Sequence, residues 1–331
     1  MGGAMGGALA GAMGADLNPG SGPCVVLEVE HLTAYEYSQP VSMAQHLAVL
    51  QPLDDERQRL LGFTLELDPE PDPQQLHTRL DAWGNRLHGF SISRPHDHLR
   101  ACARSRVEMR PRPSSGPWEH PEGTPSCAEV ASAVRHQPWR GWLPAVEFVQ
   151  PSPHVPRLEA LRRLAEPVIR PHRPMLEAAI ELMHRIHEDF HYRSRSTDID
   201  TPLARVIEQR AGVCQDFAHL MIGALRICGL PARYVSGYLL THPPAGQAPL
   251  VGADASHAWV QVWCPLQRGD AEGLWIDLDP TNDLLPDIDH VRVAVGRDFS
   301  DVTPLRGVIR GGGSHRLSVG VTTRRIDRLH D

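Results

Sequence analysis

Apolar and polar residues alternate through most of the stretch from Val25 to Met109. In VVLEVEHLTAYEYS, Leu27 and Val29 alternate with Glu28 and Glu30, and Tyr35 and Tyr37 continue the period. LGFTLELDPEPD alternates Phe63, Leu65 and Leu67 before a Pro/Asp turn cluster. DAWGNRLHGFSIS carries a Gly-Asn turn between two extended runs, and LRACARSRVEMR reads as a further strand. Period-two alternation broken by turn residues predicts an antiparallel β domain. Its histidines (31, 46, 77, 88, 96 and 98) are spread over different segments, so no metal site is expected there.

The pattern changes past residue 110. Residues 111–157 hold ten prolines, too many for a long helix or a central strand, and predict an irregular connector with short helices around Cys127–Val134. RPMLEAAIELMHRIHEDFHY is helical. Pro174 suits its first turn, and Leu176, Ala179, Ile180, Met183, Ile186, His187 and Phe190 form one stripe. TPLARVIEQRAG predicts another helix, with Thr201 as N-cap, Pro202 at the first turn and Gly212 as the stop. A third begins near Cys214. Phe217, Leu220, Met221, Ala224, Leu225 and Cys228 share one face, and Gly229 and Pro231 end it. ARYVSGYLL, SHAWVQVWC and GLWIDLDPT alternate as strands, and Val291–Ile326 reads as more strands split by RGGGSH. The expected organisation is a flexible tail (1–22), a β-rich domain (23–110), a connector (111–157) and an α+β core with C-terminal strands (158–331).

Composition narrows the function. With 41% apolar residues in 331, the chain can build a sizeable core. Its net charge of −7 has both signs interspersed, which argues against nucleic acid as a partner. The basic cluster from Arg104 to Arg112 fits a solvated strand face. No apolar run reaches the roughly 20 residues of a membrane span, so no membrane partner is expected. The opening residues lack a positively charged export signal, which predicts a cytoplasmic location. The six cysteines are scattered without a CxxC pair and are expected to be thiols. Oligomeric state is not readable.

Cys214 has an unusual address. It opens a helix at the edge of the apolar stripe, directly after Ala211-Gly212-Val213. The free N–H groups and dipole of a helix start favour a thiolate and can bind the oxyanion of a tetrahedral intermediate. Gly212 would let the chain turn sharply and leave room for a substrate. Cys228 continues the apolar face and Cys264 ends a strand, so packing explains both. A thiolate nucleophile needs a base and a group to orient it. His257 heads one strand and Asp279, before Pro280, ends the next. Antiparallel pairing would bring the two together, the carboxylate holding the imidazole's tautomer. Asp277 competes for the same role.

The words TPLARVIEQRAGVCQDFAHLMIGALRICGLPARYVSGYL, SHAWVQVW, WIDLDPTND and HVRVAVGRDFSDVTPLRGV resemble the bacterial transglutaminase-like family of the papain-like thiol superfamily. HLTAYEYSQPV and DAWGNRLHGFSI resemble its β-rich N-terminal region, so the likeness runs from about Leu27 nearly to the C-terminus. It implies a catalytic helix packed on an antiparallel sheet and a Cys214-His257-Asp279 triad. The family's acid precedes Pro-Thr, which favours Asp279 over Asp277. Gln215 and Asp216 also match, and Asp216 is expected to hydrogen-bond near the helix start. Tyr234, Ser236 and Tyr238 alternate on the following strand, and one face should line a substrate cleft. Tyr192 is a candidate for that cleft and for the second oxyanion donor, which the sequence does not identify. Arg297 and Asp298 are candidates for ordering a loop nearby.

A metal is not expected. An EF-hand reading of DLDPTNDLLPDID places Asn282 where glycine is needed and Ile288 where glutamate is needed, and Cys214, His219 and His257 lack zinc-site spacing. The expected chemistry is thiol acyl transfer without a cofactor, on a peptide or protein amide. Water as acceptor makes a protease or amidase, the favoured reading; an amine makes a cross-linking transglutaminase. A non-catalytic scaffold is the remaining alternative.

Overall fold

The computed structural model describes residues 22–136, 145–194, 197, 199, 201–241, 256–265 and 273–326. All but the last residue of the expected tail lies outside these. In chain order the strands and α-helices are β1 (Val25–Ala48), β2 (Gln58–Asp68), β3 (His77–Leu80), β4 (Arg86–Ile92), β5 (His96–Met109), α1 (Cys127–His136), α2 (Glu159–Ala165), α3 (Met175–Asp189), β6 (His191–Tyr192), α4 (Leu203–Gln209), β7 (Ala211–Gly212), α5 (Cys214–Ile227), β8 (Ala232–Leu239), β9 (Ser256–Pro265), β10 (Gly273–Leu278), β11 (His290–Gly296), β12 (Leu305–Gly311) and β13 (His315–Ile326). The class is α+β, as the alternation and helical stripes predict.

β1 runs well past the alternating stretch that ends near Ser38. It passes Pro40, and its register shifts between Glu36 and Val41. Proline has no N–H for the ladder, so the strand changes partners there. Its first half lies between β5 and β13, and its second between β4 and β12. Residues 305–326, the C-terminal strands of the expected 158–331 unit, therefore complete the N-terminal sheet. Each half of β1 has two edges of N–H and C=O groups to satisfy, and the N-terminal segment supplies one partner for each half.

The second sheet is antiparallel, in the order β10-β9-β8-β11. α5 packs on β8 and β9, with α2, α3 and α4 around it. Every residue from Asp216 to Arg226 is buried, so α5 is enclosed on all sides rather than on one face. Its internal polar groups are paired. Arg226 donates to the carbonyls of Ala232, Gln150 and Arg297, and burial pulls its pKa down to about 10.

The outer edge of β11 would expose unpaired backbone groups. Two side-chain amides of the N-terminal domain cover it. Gln58 donates to Arg292 O (2.8 Å) and accepts from Arg292 N–H (2.8 Å). Asn85 does the same for Val295, at 2.7 and 2.8 Å. Both amides are fully buried, so this edge of the four-stranded sheet is closed by the N-terminal domain rather than by a fifth strand.

Candidate active site

The approach to Cys214 differs from expectation in two ways. α4 stops at Gln209, where Arg210 takes the left-handed conformation (φ 47), two residues before Gly212. The space above Gly212 is also filled, because a Cβ there would lie 2.7 Å from Asp216 Oδ2. That carboxylate folds back over the helix start, accepting from Val213 N–H (2.8 Å) and Thr197 O–H (2.6 Å). This is half of a capping box; Val213 has no acceptor to complete it. Burial raises the Asp216 pKa, and these two hydrogen bonds oppose it. Glycine at 212 therefore serves the cap rather than a substrate. Cys214 stands half-buried just beyond.

His257 heads β9 opposite Gly237. A Cβ on Gly237 would meet Val291 O at 2.1 Å and the Trp259 ring at 2.4 Å, so a bare backbone is needed for the strands and the indole to close up. Asp279 directly follows β10 and is 0% exposed. His257 Nε2 lies 2.7 Å from Asp279 Oδ2, and the Cys214 thiol acts on the same ring. Burial would lower the imidazole's pKa, but the hydrogen bonds and charges of Asp279 and Cys214 outweigh it and push it up to about 10. Burial would raise Asp279, yet hydrogen bonds from His257 and His290 hold it well below the usual carboxylate range. Its Oδ1 accepts from Thr281 and Asn282 N–H (2.9 and 3.2 Å), which turns the chain after the strand. Asp277 faces other partners, accepting from Trp259 Nε1–H (2.7 Å) and Arg292 (2.9 Å), which also pairs with Asp55.

The softer candidates are dispersed. Tyr192 is 53% exposed and lies opposite Gly212; burial and then the charge of neighbouring Cys214 raise its hydroxyl's pKa. Gln215 and Asp216 line a cavity of about 380 Å³ with His154, His219 and Pro202. Cys214 is not among its lining residues. The expected cleft face of β8 is corrected, because this inner strand is covered on both sides. Tyr234 is buried, with its ring 5.1 Å from that of His219. Tyr238 is buried with its hydroxyl 3.0 Å from His31 Nδ1, against the N-terminal sheet. Ser236 between them is 8% exposed. Asp298 accepts from His154 and Ser300 N–H, Arg297 pairs with Asp301, and Phe299 N–H donates to His219, so that loop docks on the flank of α5.

Sequence reasoning missed two residues. Asn282 donates to Asp279 Oδ2 at 2.8 Å, and His290 Nε2 lies 3.1 Å from the same oxygen. Both stand inside the family-like words WIDLDPTND and HVRVAVGRDFSDV, which was the available signal. Ligand atoms of His257, Asp279 and His290 lie within 4.8 Å of one another, the grouping most able to hold a cation. The two imidazoles and the Asn282 amide already donate to the carboxylate, so a metal there would have to displace three hydrogen bonds.

Comparisons with known proteins agree with this architecture. Residues 27–108 match the bacterial transglutaminase-like N-terminal region, and residues 162–280, which contain Cys214, His257 and Asp279, match the transglutaminase-like superfamily. An uncharacterized protein of Mycobacterium tuberculosis is 39% identical over 91% of this chain and 94% of its own length. A protein-glutamine gamma-glutamyltransferase of Pseudomonas aeruginosa is 34% identical over 38% of this chain and 19% of its own. A solved structure from Cytophaga hutchinsonii, described as a candidate cysteine protease, shares the fold with a TM-score of 0.69 and 20% identity, covering 94% of this chain and 93% of that one. Among the described residues no helix is long and apolar enough to cross a membrane. From the buried helix headed by Cys214, the four-stranded sheet it packs on, the matched regions and the 39%-identical relative, we conclude that the chain belongs to the transglutaminase-like superfamily and carries the bacterial N-terminal region.

Proposed function

We propose that this protein is a thiol enzyme that opens an amide bond in a peptide or protein and passes the acyl group to water. The observation that carries the reading is the His257 ring, bonded through Nε2 to buried Asp279 at 2.7 Å and partnered by Cys214. The Cys214 sulfur attacks the carbonyl carbon, and imidazolium His257 gives its proton to the departing nitrogen. Ammonia or an amine leaves, and a thioester remains. Neutral His257 then takes a proton from water as the water attacks, the carboxylic acid leaves, and the thiolate–imidazolium pair is restored. Asp279 holds the ring's tautomer and its charge throughout. Backbone N–H groups at the start of α5 suit the oxyanion, and Tyr192 stands beside the sulfur as a substrate contact. Hydrolysis is favoured because water outcompetes an amine unless the site excludes it, and Tyr192 beside Cys214 is 53% exposed. The six free cysteines fit a reducing, cytoplasmic setting.

A second reading, transfer to an amine with protein cross-linking, draws on the partial likeness to the gamma-glutamyltransferase. One experiment separates the two. The protein and its Cys214→Ala variant are incubated with cell lysate and a tagged primary amine, and peptides are identified by mass spectrometry. New termini that depend on Cys214 support hydrolysis, and tag on acyl groups supports transfer. Neither product would overturn both.

A further inference from the structure

A second imidazole lies on the carboxylate side of the site. His290, the first residue of β11, is 5% exposed, with Nε2 3.1 Å from Asp279 Oδ2. The same oxygen takes His257 Nε2 at 2.7 Å and Asn282 Nδ2 at 2.8 Å. An ionised carboxylate only accepts, so His290 carries a hydrogen on Nε2 and donates it to Asp279. Its Nδ1 is buried and has no partner among the described residues. The ring is fixed by packing, edge-on to Trp259 at 5.3 Å and 5.8 Å from the His257 ring. An apolar ring would fill the space without an orphaned nitrogen, so simple packing does not account for an imidazole here.

We infer that His290 is a positioning residue, which acts on His257 through the carboxylate they share. Its hydrogen bond falls on the same Oδ2 that accepts from His257 Nε2. It also draws charge from that oxygen, which limits how strongly Asp279 retains the His257 proton. The inference rests on the proposed pairing of Cys214 with His257. The titratable groups facing His290 are Asp279 and His257. Asp277 and Asp55 pair with Arg292, Asp277 also accepting from Trp259 Nε1–H, and Asp287 offers its backbone carbonyl to His290 N–H (3.1 Å).

The pH dependence of Cys214 alkylation by iodoacetamide, read peptide by peptide in the full-length protein, needs no substrate. In His290→Leu the carboxylate pulls harder on the imidazolium, so the step that reports loss of its proton should move to higher pH by roughly one unit. In His290→Gln, whose amide can donate to Asp279, the step should return towards its original position. A purely structural role would lower thermal stability without moving the step. An unmoved step in folded His290→Leu overturns the inference and leaves the Cys214–His257 pair intact. If wild-type Cys214 is not labelled preferentially at low pH, the proposed function falls, and the inference with it. Should His290→Leu not fold, nitrogen-15 histidine resonances of the wild-type protein decide the question. A hydrogen on Nε2 of His290 is expected, and a ring protonated only on Nδ1 overturns the inference.

Discussion

The two sides of the His257 ring are built differently. On one side Asp279 is 0% exposed, and its two oxygens accept from Thr281, Asn282, His257 and His290. On the other, Cys214 is half-buried at a helix start, beside a Tyr192 that is 53% exposed. The carboxylate side is saturated with hydrogen bonds and sealed from water, which fixes an orientation. The sulfur side is less enclosed, with Cys214 and Tyr192 both reaching solvent. A ring held from behind and open in front suits a proton carrier that must not move while its substrate must.

The contrast is tested first at the open side. Cys214→Ala should lower any amide-cleaving or amine-transfer activity by about 10⁴-fold or more, while the melting temperature changes little, as activity assays and calorimetry would show. Reactivity should follow the same division among the thiols. Burial pushes Cys127 up to about 11 and Cys264 up to about 12. At pH 7 a thiol near 11 is ionised in roughly one molecule in ten thousand, so iodoacetamide should label Cys214 well before either of them. Uniform labelling by mass spectrometry would erase the difference between the site and the core.

The sealed side is tested by stability. Asp279→Ala leaves the buried imidazole donors of His257 and His290 facing a void and should cost about 3–5 kcal/mol in urea denaturation. The pH dependence has a definite sign. Folding raises the His257 pKa from 6.5 to about 10, so its contribution is complete below 6.5 and is lost as pH rises towards about 10. That decline should flatten in Asp279→Ala, and an unchanged slope between pH 7 and 10 would show that Asp279 does not hold the proton. The smallest effect is expected far from the sulfur. Gln58→Leu and Asn85→Leu each strip two hydrogen bonds from the edge of β11 and should cost about 1–3 kcal/mol with little change in Cys214 labelling. A labelling change as large as that of Asp279→Ala would mean that the N-terminal sheet tunes the site directly.

Much of this was legible along the chain. Alternation marked the N-terminal strands, the helical stripes marked α3 and α5, and the addresses of Cys214, His257 and Asp279 follow from a helix start, a strand head and a strand end. The less legible parts concern what lies across a strand or around a helix. Tyr234 and Tyr238 alternate as a cleft-lining face would, yet the strand is internal, and Tyr238 meets His31 of the other sheet. Asp277 and Asp279 look equivalent two residues apart, and only their neighbours, Trp259 and Arg292 for one and His257 and His290 for the other, distinguish them.

The sequence by itself determined the local conformations, because backbone sterics, capping and the periods of apolar residues act over a few positions. It also placed each reactive group at the end of an element. Tertiary structure decided which ends meet. It returned residues 305–326 to the first sheet, closed β11 with Gln58 and Asn85, filled the space above Gly212 with a carboxylate and put a second imidazole on Asp279. Those outcomes depend on contacts between residues far apart in the chain, where side-chain shape and the need to pair every buried polar group, rather than spacing, select the partner.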